Sequence, residues 1–322
     1  MQAIVSTEYG SPERLRLAEV DKPALEPDAV LIRVRAASVN PYDWHLIRGE
    51  PYVGRLMGMG LRRPSDSRRG VDTAGTIDAV GENVTGWQPG DEVFGRCSGA
   101  FAEYVLGDPE KLVAKPARLT FEEAAAIPIA GVTALQALRD GGAVRPGQRV
   151  LINGAAGGVG TFAVQIAKSF GAHVTGVCST RNVELVRSIG ADDVVDYSVD
   201  DFSRAGESYD VILDTVGNRS LRALRRALVP NGTLVVVGGG GGRLFGPITQ
   251  LARAFVLGRF VRQQVKPFVA RIRKADLRVL KDLVEDGKVT PVLDRTYPLR
   301  ETADAVRYLE GGHARGKVAI SV

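Results

Sequence analysis

The chain is expected to be a two-domain α/β protein, a mostly antiparallel β domain followed by a doubly wound parallel sheet. Three observations lead there. Roughly the first 115 residues consist of short apolar runs broken by Gly and Pro, the pattern of short strands joined by turns. From Arg149 onward strand-like and helix-like segments alternate, which calls for a parallel sheet with helices on both faces. At the start of that alternation the chain reads RVLINGAAGGVG from Arg149 to Gly160, then TFAVQIAKSFGAHV. A short apolar run, a burst of glycine and then helical spacing make a strand, a turn and a helix in succession.

In the β region, Val30 to Ala36 (VLIRVRA) alternates apolar and basic side chains, the period of a half-buried strand. Val71–Val80, Asp91–Phe94 and Phe101–Leu106 are further strands, parted by the turns Gly81-Glu82-Asn83 and Pro89-Gly90-Asp91. Near Leu119 the character changes. Thr120 is placed to cap a helix with Glu122 and Glu123 in its first turn, and Pro128 interrupts the pattern before a second helix from Ile129 to about Arg139. The later strands are Val150–Asn153, His173–Cys178, Asp193–Asp196, Val211–Asp214 and Thr233–Val237. Helices Val159–Phe170, Val183–Ile189 and Ser220–Leu228 lie between them. Gln264–Ala270 adds a sixth strand, which Pro267 assigns to an edge. Helices at Ala275–Glu285 and Glu301–Leu309 and a strand at Lys317–Val322 complete the expected order. The change near Leu119 puts one domain limit at 118/119.

Composition sets outer bounds. The chain has 322 residues, 44% hydrophobic and 25% charged, an ordinary globular mixture. A net charge of +5, dispersed along the chain, does not call for nucleic acid. Cys97 and Cys178 are the two cysteines, too few for a disulfide framework or a metal cluster. The opening MQAIVSTEYG has neither a basic start nor a long apolar core, and no run of about 20 apolar residues occurs anywhere. The expectation is a cytoplasmic protein with a small-molecule substrate, no nucleic-acid partner and no membrane span.

The glycine turn is a phosphate cradle. Glycine lets the backbone approach a pyrophosphate, and the helix behind it offers unpaired N–H groups and the positive end of its dipole. The residues concerned are Ala156, Gly157, Gly158, Val159 and Gly160; Ala155 stands where the fingerprint has its first glycine, with Gly154 before it. Sites that take NAD place an acid at the end of the second strand, on the ribose 2′-hydroxyl. Cys178 occupies that place here, and Ser179, Thr180 and Arg181 follow. Hydroxyls and a guanidinium suit a 2′-phosphate, so NADPH is expected over NADH. Arg181 alone could equally be a solvated residue of the next helix, with Ser179 its cap. Tyr197 either covers the adenine or is a surface aromatic. Thr215, Val216 and Gly217, and Gly238 with Gly239, end the fourth and fifth strands, where ligands of open parallel sheets sit.

The chain resembles the medium-chain dehydrogenase/reductase superfamily, in its zinc-free quinone oxidoreductase and enoyl reductase branch. The resemblance spans nearly every residue. It is carried by SVNPYDWHLIRG (38–49), GVDTAGTIDAVG (70–81), PGDEVFG (89–95), FAEY (101–104), AAAIPIAGVTALQAL (124–138), the glycine turn and HARGKVAI (313–320). It implies a Rossmann sheet plus a GroES-like catalytic domain, to which the last ~30 residues return, so that the domains are 1–118 with 290–322, and 119–289. Zinc-dependent members carry Cys where this chain has Asn40, and Gly-His-Glu where it has Gly70-Val71-Asp72. Val71 cannot ligate a metal, so no zinc is expected.

Family position implies that Asn40 and Thr133 touch the nicotinamide end of the cofactor and that Tyr42, Trp44 and His45 line the substrate side. Many similar chains have Lys where His45 stands. Some enoyl reductases use a Tyr near the position of Tyr52, which matches poorly here. Lys317, in Arg315-Gly316-Lys317, either reaches the cofactor phosphates or is a surface lysine. Relatives are often homodimers, so a homo-oligomer is expected. Leu244–Lys266, apolar on one side and basic on the other, is a cleft cover, a subunit contact or a membrane-surface segment. Hydride transfer from NADPH to a quinone or an α,β-unsaturated carbonyl is the leading function. The alternative is an NADPH-binding regulatory or interaction protein with little turnover.

Overall fold

The computed structural model describes residues 1–55, 59–204, 208–237 and 262–322. In chain order the elements are β1 (Gln2–Val5), β2 (Arg16–Glu19), β3 (Val30–Val39), α1 (Pro41–Arg48), a single turn α2 (Tyr52–Gly54), β4 (Asp72–Val80), β5 (Glu92–Arg96), β6 (Tyr104–Gly107) and β7 (Leu112–Ala114). Then come α3 (Phe121–Ala125), α4 (Pro128–Gln136), β8 (Arg149–Asn153), α5 (Gly158–Ser169), β9 (His173–Cys178), α6 (Val183–Ser188) and β10 (Asp193–Asp196). The chain continues through β11 (Tyr209–Asp214), α7 (Leu221–Arg226), β12 (Leu228–Val236), β13 (Gln264–Pro267), α8 (Lys274–Glu285), β14 (Leu293–Pro298), α9 (Thr302–Glu310) and β15 (Lys317–Ser321).

Two compact units result. One holds Met1–Val132, Ile272–Asp286 and Pro291–Val322; the other holds Thr133–Arg271 and Gly287–Thr290. The expected changes are at 118/119, from composition, and at 289/290, from the family resemblance. The compact units instead change at 132/133 and 271/272, because α8 packs with the first unit: Leu280 closes over Gly131, where an added Cβ would sit 3.1 Å from its methyl.

The first unit is built on a seven-stranded sheet ordered β14-β15-β3-β4-β5-β7, with β6 also on β3. All pairs are antiparallel except β14 with β15. Within β3 the side chains of Val30, Ile32 and Val34 are buried while Arg33 and Arg35 are exposed, as the alternation requires. Ile77, Val93, Val105 and Leu112 join them in one core cluster. Each fully buried aliphatic contributes about 1.5–3 kcal/mol. A second cluster, with Val39, Ile47, Phe101, Val306, Val318 and Ile320, packs α1 and α9 against β15 and β3.

The second unit is a six-stranded, all-parallel sheet ordered β10-β9-β8-β11-β12-β13. In the unit's own numbering that is 3-2-1-4-5-6, the double-mononucleotide order. Its direction reverses between β8 and β11. α5 packs on β8 and β9, α6 on β9 and β10, and α7 on β12. Val150, Leu151, Ile152, Ile212, Leu213 and Leu234 are 0% exposed, as strands covered on both faces must be. β13 is an edge strand that stops at Pro267.

Candidate functional site

In the parallel unit the site is the turn after β8. β8 ends at Asn153. Gly154 (φ 91°) and Ala155 then direct their N–H groups to the Val177 carbonyl of β9 at 3.1 and 3.0 Å. Only glycine adopts such a φ without strain. The turn closes through Gly157 N–H to Gly154 O at 3.0 Å, and α5 starts at Gly158. A Cβ on Gly160 would press into the Gly154 carbonyl, so that glycine serves helix–turn packing. A Cβ on Gly157 would meet nothing nearer than Gly154 O at 3.4 Å, so the space in front of it is open. The first turn of α5 has N–H groups with no intrahelical partner. An anion is what such a cradle fits.

The opposite lip belongs to β11. Asp214 is 2% exposed; its Oδ1 accepts from Asn153 Nδ2 (2.8 Å), Val216 N–H (3.2 Å) and Gly217 N–H (3.0 Å). Thr215 Oγ1 donates to Asn153 O at 2.7 Å. These bonds fix Thr215, Val216 and Gly217 against Gly154 at the strand switch, where open parallel sheets bind ligands. At the tip of β9, Ser179 Oγ accepts from Asn182 Nδ2 (3.2 Å), and Thr180 and Arg181 are exposed. Tyr197 is 49% exposed, its N–H on the Cys178 carbonyl at 3.0 Å. Thr133 lies in α4, 7% exposed. Gly238, Gly239 and most of Leu244–Lys266 lie outside the described residues.

In the antiparallel unit a polar cluster sits under α1. Asn40 caps the helix, and Asp43 Oδ2 accepts from its N–H at 2.8 Å, one half of a capping box. Asn40 Nδ2 donates to Asp72 Oδ2 (2.9 Å) and Ser38 O (3.3 Å). Asp72 also accepts from Ser38 Oγ (2.9 Å) and Ile129 N–H (3.1 Å). Lys317 comes in from β15. Its ammonium donates to Asn40 Oδ1 (2.6 Å) and Val39 O (3.1 Å) and stands 3.7 Å from Asp72 Oδ2. Burial pushes the Asp43 carboxyl up to about 7 and raises Asp72, which Lys317 and Asn40 pull back down; burial likewise lowers Lys317.

This geometry bears on two expectations and removes the surface alternative for Lys317. Lys317, expected at the cofactor phosphates or on the surface, is 3% exposed with its donors spent inside the unit. Asn40, expected at the nicotinamide, is 2% exposed; its Nδ2 donates to Asp72 and Ser38 and its Oδ1 accepts from Lys317. Sequence reasoning missed Asp43, and gave Asp72 no role beyond its place in the departed zinc motif. The signal available was the acid at the third position of a capped helix.

α1 and α2 carry the other candidates. Tyr42 is 44% exposed and Tyr52 39%. Trp44 packs on the core and stacks on His45, ring centroids 3.7 Å apart. His45 Nδ1 lies 3.0 Å from the Glu50 carbonyl. A carbonyl only accepts, so the proton is assigned to Nδ1 from its partner, and Nε2 is left as an acceptor. Burial lowers the imidazole's pKa and keeps it neutral near pH 7. Arg48, at the far end of α1, pairs with Glu310 of α9 at 2.5 Å. Both ends of the helix are therefore held by the returning C-terminal segment.

The donor set at Asn40, Val71 and Asp72 does not fit zinc. Zn²⁺ needs three or four N, S or O ligands at about 2.0–2.3 Å; Val71 has none, Asn40's amide is committed and Lys317 already supplies the cation. Among the described residues there is no group of three His, Cys, Asp or Glu side chains placed to hold a metal. No helix among them is long and apolar enough to cross a membrane.

Residues 26–117 match the alcohol dehydrogenase GroES-like domain, and residues 189–320 the family described as zinc-binding dehydrogenase. The chain is 35% identical, over 100% of its length and 89% of the relative's, to the mitochondrial NAD(P)H oxidoreductase RTN4IP1 of Mus musculus. It is 36% identical to the 2-methylene-furan-3-one reductase of Solanum lycopersicum, over 99% of this chain and 79% of that one. The solved quinone oxidoreductase of Coxiella burnetii superposes with a TM-score of 0.89 at 31% identity, covering 100% of this chain and 99% of that one. The chain belongs to the medium-chain dehydrogenase/reductase superfamily, in its quinone oxidoreductase and enoyl reductase branch. Its parallel sheet is the Rossmann half of that fold and its antiparallel sheet the GroES-like half.

Proposed function

We propose that this chain is an NADPH-preferring oxidoreductase that works without zinc and delivers a hydride to a quinone or an α,β-unsaturated carbonyl. The observation that carries the reading is the glycine cradle at the β8–β11 switch, open in front of Gly157 and backed by the α5 N-terminus. The relatives' names, an NAD(P)H oxidoreductase, a quinone oxidoreductase and a 2-methylene-furan-3-one reductase, point the same way.

When bound, the reduced nicotinamide supplies two electrons and one hydrogen nucleus as a hydride. In this reading Gly157, Gly158, Val159 and Gly160 hold the pyrophosphate, and Thr215 to Gly217 border it. Ser179 and Arg181 face the 2′-phosphate. Thr133 and Asn40 border the nicotinamide end; Tyr42, Trp44 and Tyr52 shape the acceptor side. With its proton assigned to Nδ1, His45 offers the site an acceptor at Nε2, and the proton that completes the product comes from water. A quinone or enone is already electron-poor, so positioning and water exclusion suffice where an alcohol would need a Lewis acid.

The test is oxidation of NADPH and of NADH by the purified chain against a panel of quinones and unsaturated aldehydes, with and without a chelator. Turnover that resists the chelator and is more efficient with NADPH is the expected result. Tight NADPH binding without turnover would favour a regulatory protein. Dependence on stoichiometric zinc, or a higher kcat/KM with NADH, would remove the corresponding part of the reading.

A further inference from the structure

The tip of β10 carries an acid that the reading above leaves without a task. Asp196 pairs in register with Cys178, the last residue of β9. The next residue, Tyr197, donates its N–H to the Cys178 carbonyl at 3.0 Å. The Asp196 side chain therefore leaves the sheet beside the segment 179–182. There it accepts from the Thr180 hydroxyl and the Thr180 backbone N–H, and from Ser198 N–H at 2.9 Å. These bonds favour the ionised form and hold the carboxyl below its ordinary range. Its charge also acts on the Cys178 thiol, which burial and this carboxylate push up to about 11.

A dinucleotide sheet that selects a ribose 2′-hydroxyl carries its acid at the end of the second strand. Here Cys178 fills that place, and the acid stands on the same rung one strand over. Its bond to Thr180 has a second effect. A hydroxyl has one hydrogen to give, and Thr180 gives it to Asp196. What remains at Thr180 Oγ1 is an acceptor, which suits a ribose hydroxyl and has nothing to offer a phosphate dianion.

We propose that Asp196 is a specificity-determining residue of the nucleotide site: it opposes a 2′-phosphate, admits a 2′-hydroxyl, and so limits the preference for NADPH that Ser179 and Arg181 create. The proposal rests on reading the glycine turn as a nicotinamide dinucleotide site. Calorimetric titration of the whole chain with adenosine 2′,5′-bisphosphate and with AMP tests it without recourse to turnover. In Asp196→Asn, which keeps an acceptor for Thr180 but loses the charge, the bisphosphate should bind on the order of tenfold tighter, with no tightening for AMP. Asp196→Ala, which loses the acceptor as well, should shift the ratio of the two affinities in the same direction. A ratio unchanged from wild type in both variants overturns the role of Asp196 while leaving the dinucleotide site standing. Failure of the wild-type chain to bind either fragment overturns both.

Discussion

Asp43 has one carboxylate oxygen on the Asn40 N–H and the other buried with no hydrogen-bond partner. Burial is why its carboxyl sits at about 7. The folded chain holds this proton more tightly than the unfolded chain does, so its contribution to stability is full below the ordinary carboxylate range and is lost as pH climbs toward about 7. His45, lowered by burial, has the opposite slope at lower pH. We therefore expect a stability–pH curve that falls between about pH 4 and 7 with a slope of at most about 1.4 kcal/mol per pH unit from this group. Urea unfolding across that range should show the difference, because Asp43→Asn loses that part of the slope. Parallel curves for the two proteins would refute the assignment. At this scale the sequence was legible where roles are local. The Thr120 cap, with Glu123 returning to its N–H at 2.8 Å, was expected and is present. The capping place of Asp43 was available in the same way, but its burial was not, because nothing in SVNPYDWH says that a polar position will be buried.

The strand–turn–helix at β8 and α5 was the most legible element, because every group that shapes it lies within a dozen residues. Its two glycines separate packing from binding. Gly160→Ala should cost about 1–3 kcal/mol, since the new methyl meets backbone rather than a yielding side chain. Gly157→Ala should cost under about 1 kcal/mol as a changed helix cap, yet weaken AMP and adenosine 2′,5′-bisphosphate on the order of tenfold if the open space is the cradle. Calorimetry and urea unfolding on the same two variants read both effects. Wild-type affinity in Gly157→Ala would place the phosphates elsewhere. β1, β2, β7 and β14 were not read from the sequence: they are short or polar, as LDRTYP in β14 is, and owe their form to the strands beside them. β12 also begins earlier than expected, at Leu228, running through Pro230, Asn231 and Gly232, residues whose local preference is for a turn.

Across the whole molecule the least legible feature is the bond that ties its ends. Asn40 and Lys317 are 277 residues apart in the chain and 2.6 Å apart in the fold. Periodicity and turn chemistry act over a few residues and cannot bring them together; the resemblance alone indicated that the chain returns. Lys317→Met removes the cation from two buried carboxylates and should cost about 3–5 kcal/mol. Adding Asp72→Asn should recover part of that loss, because the uncompensated charge goes with it. Additive costs in the double variant would mean that the pair is not coupled.

The same bond has a consequence for the order of events at the ribosome. The parallel sheet is contiguous from β8 to β13, so all its strands are translated before Lys317. β3, β4 and α1 emerge earlier still, yet they wait through the synthesis of that whole sheet for the strand and the cation that complete them. Domains that fold during translation normally do so from the first residue onward. Here the half that begins the chain is the half that finishes last.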